Sequence, residues 1–148
     1  MIIEALASLV LTGAPHPRVG APVGVLAIPR LHLRAVVHQG VGAAVLANGP
    51  GHYPGTSLPG GAGTVAVAGH RVTHRRTFLQ INELRKGDRI YFTTRRGRFT
   101  YRVVKERVVR PQATWVLRRT GRQQLVLTAC HPPRTARFRY VVFAVRIA

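Results

Sequence analysis

The chain carries a single cysteine, seven histidines and 23 Lys+Arg against only four Asp+Glu. Cys130 ends the apolar run Leu125-Val126-Leu127-Thr128-Ala129 and is followed by His131, Pro132 and Pro133, then by Arg134, Arg137 and Arg139. His70 ends a second apolar run, in Ala68-Gly69-His70-Arg71. The chemistry these types support together is thiol acyl transfer. A cysteine thiol of pKa about 8.5 is only slightly ionised at neutral pH, and a neighbouring imidazolium or guanidinium favours the nucleophilic thiolate. An imidazole can then protonate a leaving amine, while a guanidinium binds a carbonyl oxygen or holds the substrate chain. The rival reading of a lone cysteine is an inert buried thiol.

The elements around these residues read as short strands. Side chains two apart share a face, so Val126, Thr128 and Cys130 point one way and Leu125, Leu127 and Ala129 the other. Pro132 and Pro133 cannot donate ladder bonds, so the strand stops there, and 139–145 reads as its partner. A thiol and a guanidinium then face each other across one connection, in which Arg134 and Arg137 are the other basic residues. His131 is a local rival to His70 as the base, or a neighbour pointing to the opposite face. Further strands are expected at 23–28, 31–38, 64–68, 89–94, 99–104, 108–109 and 115–117. A turn or two of helix is expected at 41–47 and a helical turn at 78–84. The Gly/Pro-dense stretch from Gly51 to Gly63 is a long loop in which His52 and Tyr53 either line a groove or pack the loop itself. Trp115 reads as a core or rim anchor. About eight short strands with no long helical pattern predict an all-β fold, a closed or nearly closed barrel.

With 46% hydrophobic residues, 148 residues suffice for one packed domain burying about 70% of its unfolded surface. The folded domain is expected over 23–148, after a Pro/Gly/Arg linker within an N-terminal tail of 1–22. Met1–Ala14 reads as a frayed tail or the remnant of an anchor, and Leu9-Val10-Leu11-Thr12-Gly13 within it has a Leu-x-x-Thr-Gly outline. A formal charge of +19 points to an anionic partner or a solvated basic surface. One alternative function is therefore a basic β-barrel that binds nucleic acid through its phosphates, with Arg95, Arg96, Arg98, Tyr101 and Arg102 on one hairpin. It gives no reason for the Gly-His-Arg and Leu-Thr-Ala-Cys strand ends. No metal or other cofactor is expected: His16, His32, His38, His52, His70, His74 and His131 show no ligand spacing with acids or thiols, and four scattered acids build no calcium site.

Several ordered segments resemble the sortases, the cysteine transpeptidases of the Gram-positive cell envelope, most closely class E with class D as neighbour. They are Leu26-Ala27-Ile28-Pro29-Arg30, 49–56 (GPGHYPGT), Ala68-Gly69-His70-Arg71, Leu84-Arg85-Lys86-Gly87-Asp88 and Leu127-Thr128-Ala129-Cys130-His131-Pro132. The resemblance implies a sortase-like eight-stranded barrel with Cys130 as nucleophile, His70 as the catalytic histidine and Arg139 as the arginine, because Arg139 opens the last strand before Tyr140. Thr128, Ala129, His52, Tyr53 and His131 are the implied substrate-side residues. The implied reaction cleaves an LPXTG-like signal, LAXTG in class E-like members, between Thr and Gly through a thioacyl enzyme. The implied partners are sorting-signal-bearing surface proteins, an amine acceptor such as a cell-wall precursor, and an anionic envelope or membrane surface, with no specific nucleic acid. The implied location is the extracytoplasmic face of the membrane. Ala129 departs from the family's usual Thr before the cysteine. If that hydroxyl served the oxyanion, its loss would slow turnover by up to about 10²–10³.

Overall fold

The computed structural model describes residues 16–71 and 76–148. The readings placed on Met1–Ala14, on Leu9–Gly13 and on His74 lie outside the described residues. Eight strands follow in chain order: β1 (Pro22–Ile28), β2 (Leu33–Gln39), β3 (Gly51–His52), β4 (Thr64–Ala68), β5 (Arg89–Thr94), β6 (Gly97–Val109), β7 (Gln124–His131) and β8 (Phe138–Arg146). Among the described residues one short helix, α1 (Ala43–Leu46), lies between β2 and β3. The strands close into a barrel in the order β1-β2-β3-β4-β7-β8-β6-β5, the closure between β2 and β4 running through the two residues of β3.

Strand pattern follows burial. In β1, Leu26 and Ile28 point inward, and Pro29 ends the strand in a 3-10 turn over Pro29–Leu31. All five residues of β4 are buried, as befits a strand paired in parallel with β7 through Ala66↔Val126 and Ala68↔Thr128. The two faces of β4 and β7 serve two cores. Val65, Val67, Leu125, Leu127 and Ala129 face the barrel interior with Phe92 and Tyr101. Ala66, Val126, Val141, Phe143 and Val116 form a second cluster outside it.

Several expectations differ from what is observed. Gly51 and His52, expected in the long loop, form β3, and Leu31, expected to open a strand, closes the 3-10 turn before β2. Val108 and Val109 are the end of the 13-residue β6 rather than a separate strand; a register shift between Val103 and Lys105 breaks the alternation that would have revealed continuity. Trp115-Val116-Leu117 belongs to a 3-10 turn over Thr114–Leu117, with only Val116 buried. Trp115, 46% exposed, stacks on Phe143 of the outer cluster at 6.1 Å. Finally, the helical turn expected at 78–84 is limited to a 3-10 turn over Ile81–Glu83.

Two local contacts matter for the strand ends. The Gly60 N–H donates to the Tyr101 hydroxyl at 3.2 Å, tying the long loop to β6. Gly69 lies under the buried Phe78 ring, where an added Cβ would come within 2.6 Å of ring carbons, and the Phe78 N–H donates to the His70 carbonyl at 2.9 Å. Gly69→Ala should therefore destabilise by about 1–3 kcal/mol through overpacking, and Phe78→Ala by about 3–5 kcal/mol through the cavity it leaves. Urea midpoints check both; an unchanged midpoint for Gly69→Ala would show that the ring yields freely.

Candidate active site

β7 carries Cys130 to the barrel rim as a free, half-buried thiol on the same face as Val126 and Thr128. Cys130 pairs directly with Arg139 of β8, and directly opposed residues of an antiparallel ladder present their side chains to one face. The Arg139 guanidinium donates to the carbonyls of Ala136 and Phe138, each at 3.1 Å. Arg134, at φ 69°, and Arg137, whose guanidinium lies 5.9 Å from the Phe138 ring, belong to the connection.

β4 runs beside β7 on its other edge. The last bond between them is Gly69 N–H to the Thr128 carbonyl at 3.1 Å. His70 and Cys130 each stand two residues beyond the Ala68↔Thr128 pair, so the three strand ends carrying His70, Cys130 and Arg139 lie side by side. The Thr128 hydroxyl, on the thiol's face, hydrogen-bonds the Tyr53 hydroxyl at 2.8 Å, which brings the 53–63 loop against β7.

Two residues that sequence reasoning offered to the substrate stand elsewhere. His52 is 1% exposed; its Nδ1 lies 2.7 Å from the Gln39 side chain and its Nε2 2.8 Å from the Ser57 carbonyl, so the ring fastens the loop from inside. Ala129 belongs to the interior core, paired with Tyr140, so a hydroxyl there would meet the barrel interior and not the thiol's face. Among the described residues no three His, Cys, Asp or Glu side chains gather as metal ligands.

Sequence reasoning missed Arg71. Its guanidinium sits within a residue only 4% exposed and makes four hydrogen bonds: Nη1 to the Cys130 carbonyl at 3.2 Å and to His131 Nδ1 at 2.8 Å, Nη2 to Asn82 Oδ1 at 2.8 Å, and Nε to the Leu79 carbonyl at 3.3 Å. The Tyr140 ring centroid lies 5.7 Å from it. Burial lowers its pKa, opposed by the nearby Tyr140 and Cys130. Burial first, and then the adjacent Arg71, lower the pKa of His131. Burial also raises that of Tyr140, with Glu106 adding and Arg71 opposing. The available signal was an arginine following Gly-His with no acid nearby, too common a pattern to single out.

A family model described as the sortase domain matches residues 26–147, and the chain belongs to the sortase family, whose members are cysteine transpeptidases that join sorting-signal-bearing surface proteins to amine acceptors of the cell envelope. It is 31% identical over 135 residues to sortase D of Bacillus subtilis, covering 88% of this chain and 67% of that protein. It is 31% identical over 140 residues to sortase SrtE1 of Streptomyces coelicolor, covering 84% of this chain and 40% of that one. The chain thus spans about two thirds of the first relative and well under half of the second. Among solved structures, the sortase D5 transpeptidase of Clostridium perfringens superposes with a TM-score of 0.82 at 28% identity, over 98% of this chain and 89% of that one. The group B Streptococcus pilus island 1 sortase C2 gives 0.82 at 30%, over 88% and 77%. These likenesses lend no support to the nucleic-acid-binding alternative. No helix among the described residues is long and apolar enough to cross a membrane.

Burial lowers the His52 pKa, which fixes the sign of a pH effect. Its contribution to stability is fully present above the ordinary histidine range and is lost as pH falls through that range towards the lower folded value, because the unfolded chain binds the proton first. Urea midpoints should therefore fall between about pH 7.5 and pH 5. His52→Gln should begin less stable and lose less over the same interval; an identical slope in both proteins would remove His52 from the account.

Proposed function

We propose that Cys130 is the nucleophile, His70 the general acid and base, and Arg139 the oxyanion or substrate ligand of a sortase reaction carried by 23–148. The observation that carries this is the pairing Cys130↔Arg139 on one edge of β7, with His70 two residues beyond the end of β4 on the other. The Cys130 thiolate attacks the carbonyl carbon of the Thr–Gly amide in an LPXTG or LAXTG-like signal. The resulting oxyanion is met by the Arg139 guanidinium once it leaves its loop carbonyls. The C–N bond breaks as His70 protonates the departing glycine amine, leaving a thioester on Cys130. An amine acceptor then attacks the thioester, gives its proton to His70, and displaces the thiolate.

The basic surface supports a location at an anionic envelope or membrane surface. β1 lies opposite β7 in the strand order, and exposed Arg34, Arg89, Arg98 and Arg102 flank β1 on β2, β5 and β6. Arg89 and Arg102 are directly opposed, a like-charge pair that costs stability until an anion relieves it. Contact through this side would leave the thiol's rim facing away. Vesicles of phosphatidylglycerol and phosphatidylcholine should sediment the protein at low salt, and Arg89→Ser with Arg102→Ser should weaken this about fivefold per arginine. Equal binding to neutral vesicles would end this reading.

The reaction itself is tested by mass spectrometry with LPXTG and LAXTG peptides, with and without an added amine. A thioacyl adduct on Cys130, resolved by the amine, is expected. Cys130→Ala should abolish turnover, and Arg139→Ala should lower it by roughly 10²–10³. Arg134→Ala and Arg137→Ala should stay within about tenfold and act through salt-dependent affinity. A severe defect in Arg137→Ala beside near-normal Arg139→Ala would overturn the choice of arginine.

A further inference from the structure

Ladder bonding between β4 and β7 ends at Gly69 and Thr128, one residue short of His70 and two short of Cys130. Beyond that point the Arg71 side chain bonds one chain to the other. Arg71 follows His70 directly, and its guanidinium grips the carbonyl of Cys130 and the ring of His131. Its other nitrogens are fixed to Leu79 and Asn82 on the segment that also holds the His70 carbonyl through Phe78. The ring of Tyr140, the neighbour of Ala129 across the ladder, lies 5.7 Å from the guanidinium and adds β8 as a third attached segment. Arginine has no acceptor atom, so His131 Nδ1 accepts this bond and the proton of the neutral ring sits on Nε2.

We infer that Arg71 is a positioning residue for acyl transfer: its guanidinium fixes the peptide of Cys130 relative to the chain that bears His70. This rests on the proposed roles of those two residues. The geometry suits arginine and not lysine. Four acceptors lie around one planar fork, and an ammonium presents its three donors from a single point. Charge-assisted bonds at 2.8 Å to His131 and Asn82 are of the stronger kind, and among the described residues no carboxylate shares them. The guanidinium is thus committed to three neutral acceptor types, carbonyl, amide and imidazole, all of them parts of the site's frame. A displacement of about 1 Å between nucleophile and acid can cost about 10² in rate.

The test is steady-state kinetics of the full chain with the peptide that acylates the wild type, with kcat referred to the fraction of Cys130 titrated as active. Arg71→Lys is expected to lose about 10²-fold in kcat with KM within about threefold. Asn82→Ala, which removes one acceptor and leaves the guanidinium in place, is expected to lose about three- to tenfold. It decides the matter where Arg71 variants do not fold. Val37→Ala, a core change on β2 away from the site, serves as the stability control: it lowers the melting temperature and leaves kcat per active thiol unchanged. Arg71→Lys and Asn82→Ala with wild-type kcat, or with losses no larger than melting temperature alone produces in Val37→Ala, would overturn the inference. A wild type that forms no thioacyl adduct on Cys130 would instead sink the proposed reaction, so the two failures are distinct.

Discussion

The pairing of β7 on both edges is the constraint on which the site depends. β4 lies parallel to it and β8 antiparallel, so every residue from Gln124 to Thr128 has a fixed neighbour on each side. β7 is also covered on both faces, by the interior core and by the outer cluster, so its sequence is apolar almost throughout, as Leu125-Val126-Leu127 is. The cost is that polar side chains can leave the strand only at its end. Cys130 and Arg139 accordingly sit within one residue of the ends of β7 and β8, and His70 two residues beyond the end of β4, at a single rim.

Ends of ladders are also where backbone groups lose their partners. At this rim the shortage is met by Arg71, which takes the carbonyls of Cys130 and Leu79. A buried cation with no acid beside it is costly, and here the cost is offset by four hydrogen bonds and a tyrosine face. That solution differs from the other structurally fixed charge in the barrel, Asp88, which is held by the Arg30 guanidinium at 2.6 Å and by the Arg85 N–H at 2.8 Å. Its pKa is lowered by these bonds against the opposing effect of desolvation. In a chain with so few acids, the buried arginine is paired instead to two backbone carbonyls, an amide and an imidazole.

Much of this was legible in the residues. The run before Cys130, closed by two prolines, announced a strand end, and the apolar return from Tyr140 announced its partner. Parity along that run also placed Ala129 on the face opposite Cys130, which agrees with its burial in the interior core. Other features had no sequence signature. Trp115-Val116-Leu117 looks like a strand because three apolar residues adjoin, whereas only Val116 finds a place on the outer cluster. The bulge after Val103 hides the length of β6. Arg71 was invisible because two of its acceptors are main-chain carbonyls, which every residue possesses, and the side-chain acceptors Asn82 and His131 lie far along the chain.

The interior core decides which side chains meet at the rim. Cys130 and Arg139 share a face only while Leu127 opposes Val142 and Leu125 opposes Ala144. All four of those residues are buried inside the barrel. A one-residue slip of β8 against β7 would turn Val142 and Ala144 outward and send Arg139 inward, exposing apolar surface and burying a guanidinium together. Both penalties oppose the slip, so the register is fixed by residues that never touch a substrate. The connection 132–137 needs only to be long enough to close the hairpin, and it is free to carry arginines whose purpose is unrelated to the fold. The chemistry at the rim is therefore specified mainly by the packing of leucines and valines behind it.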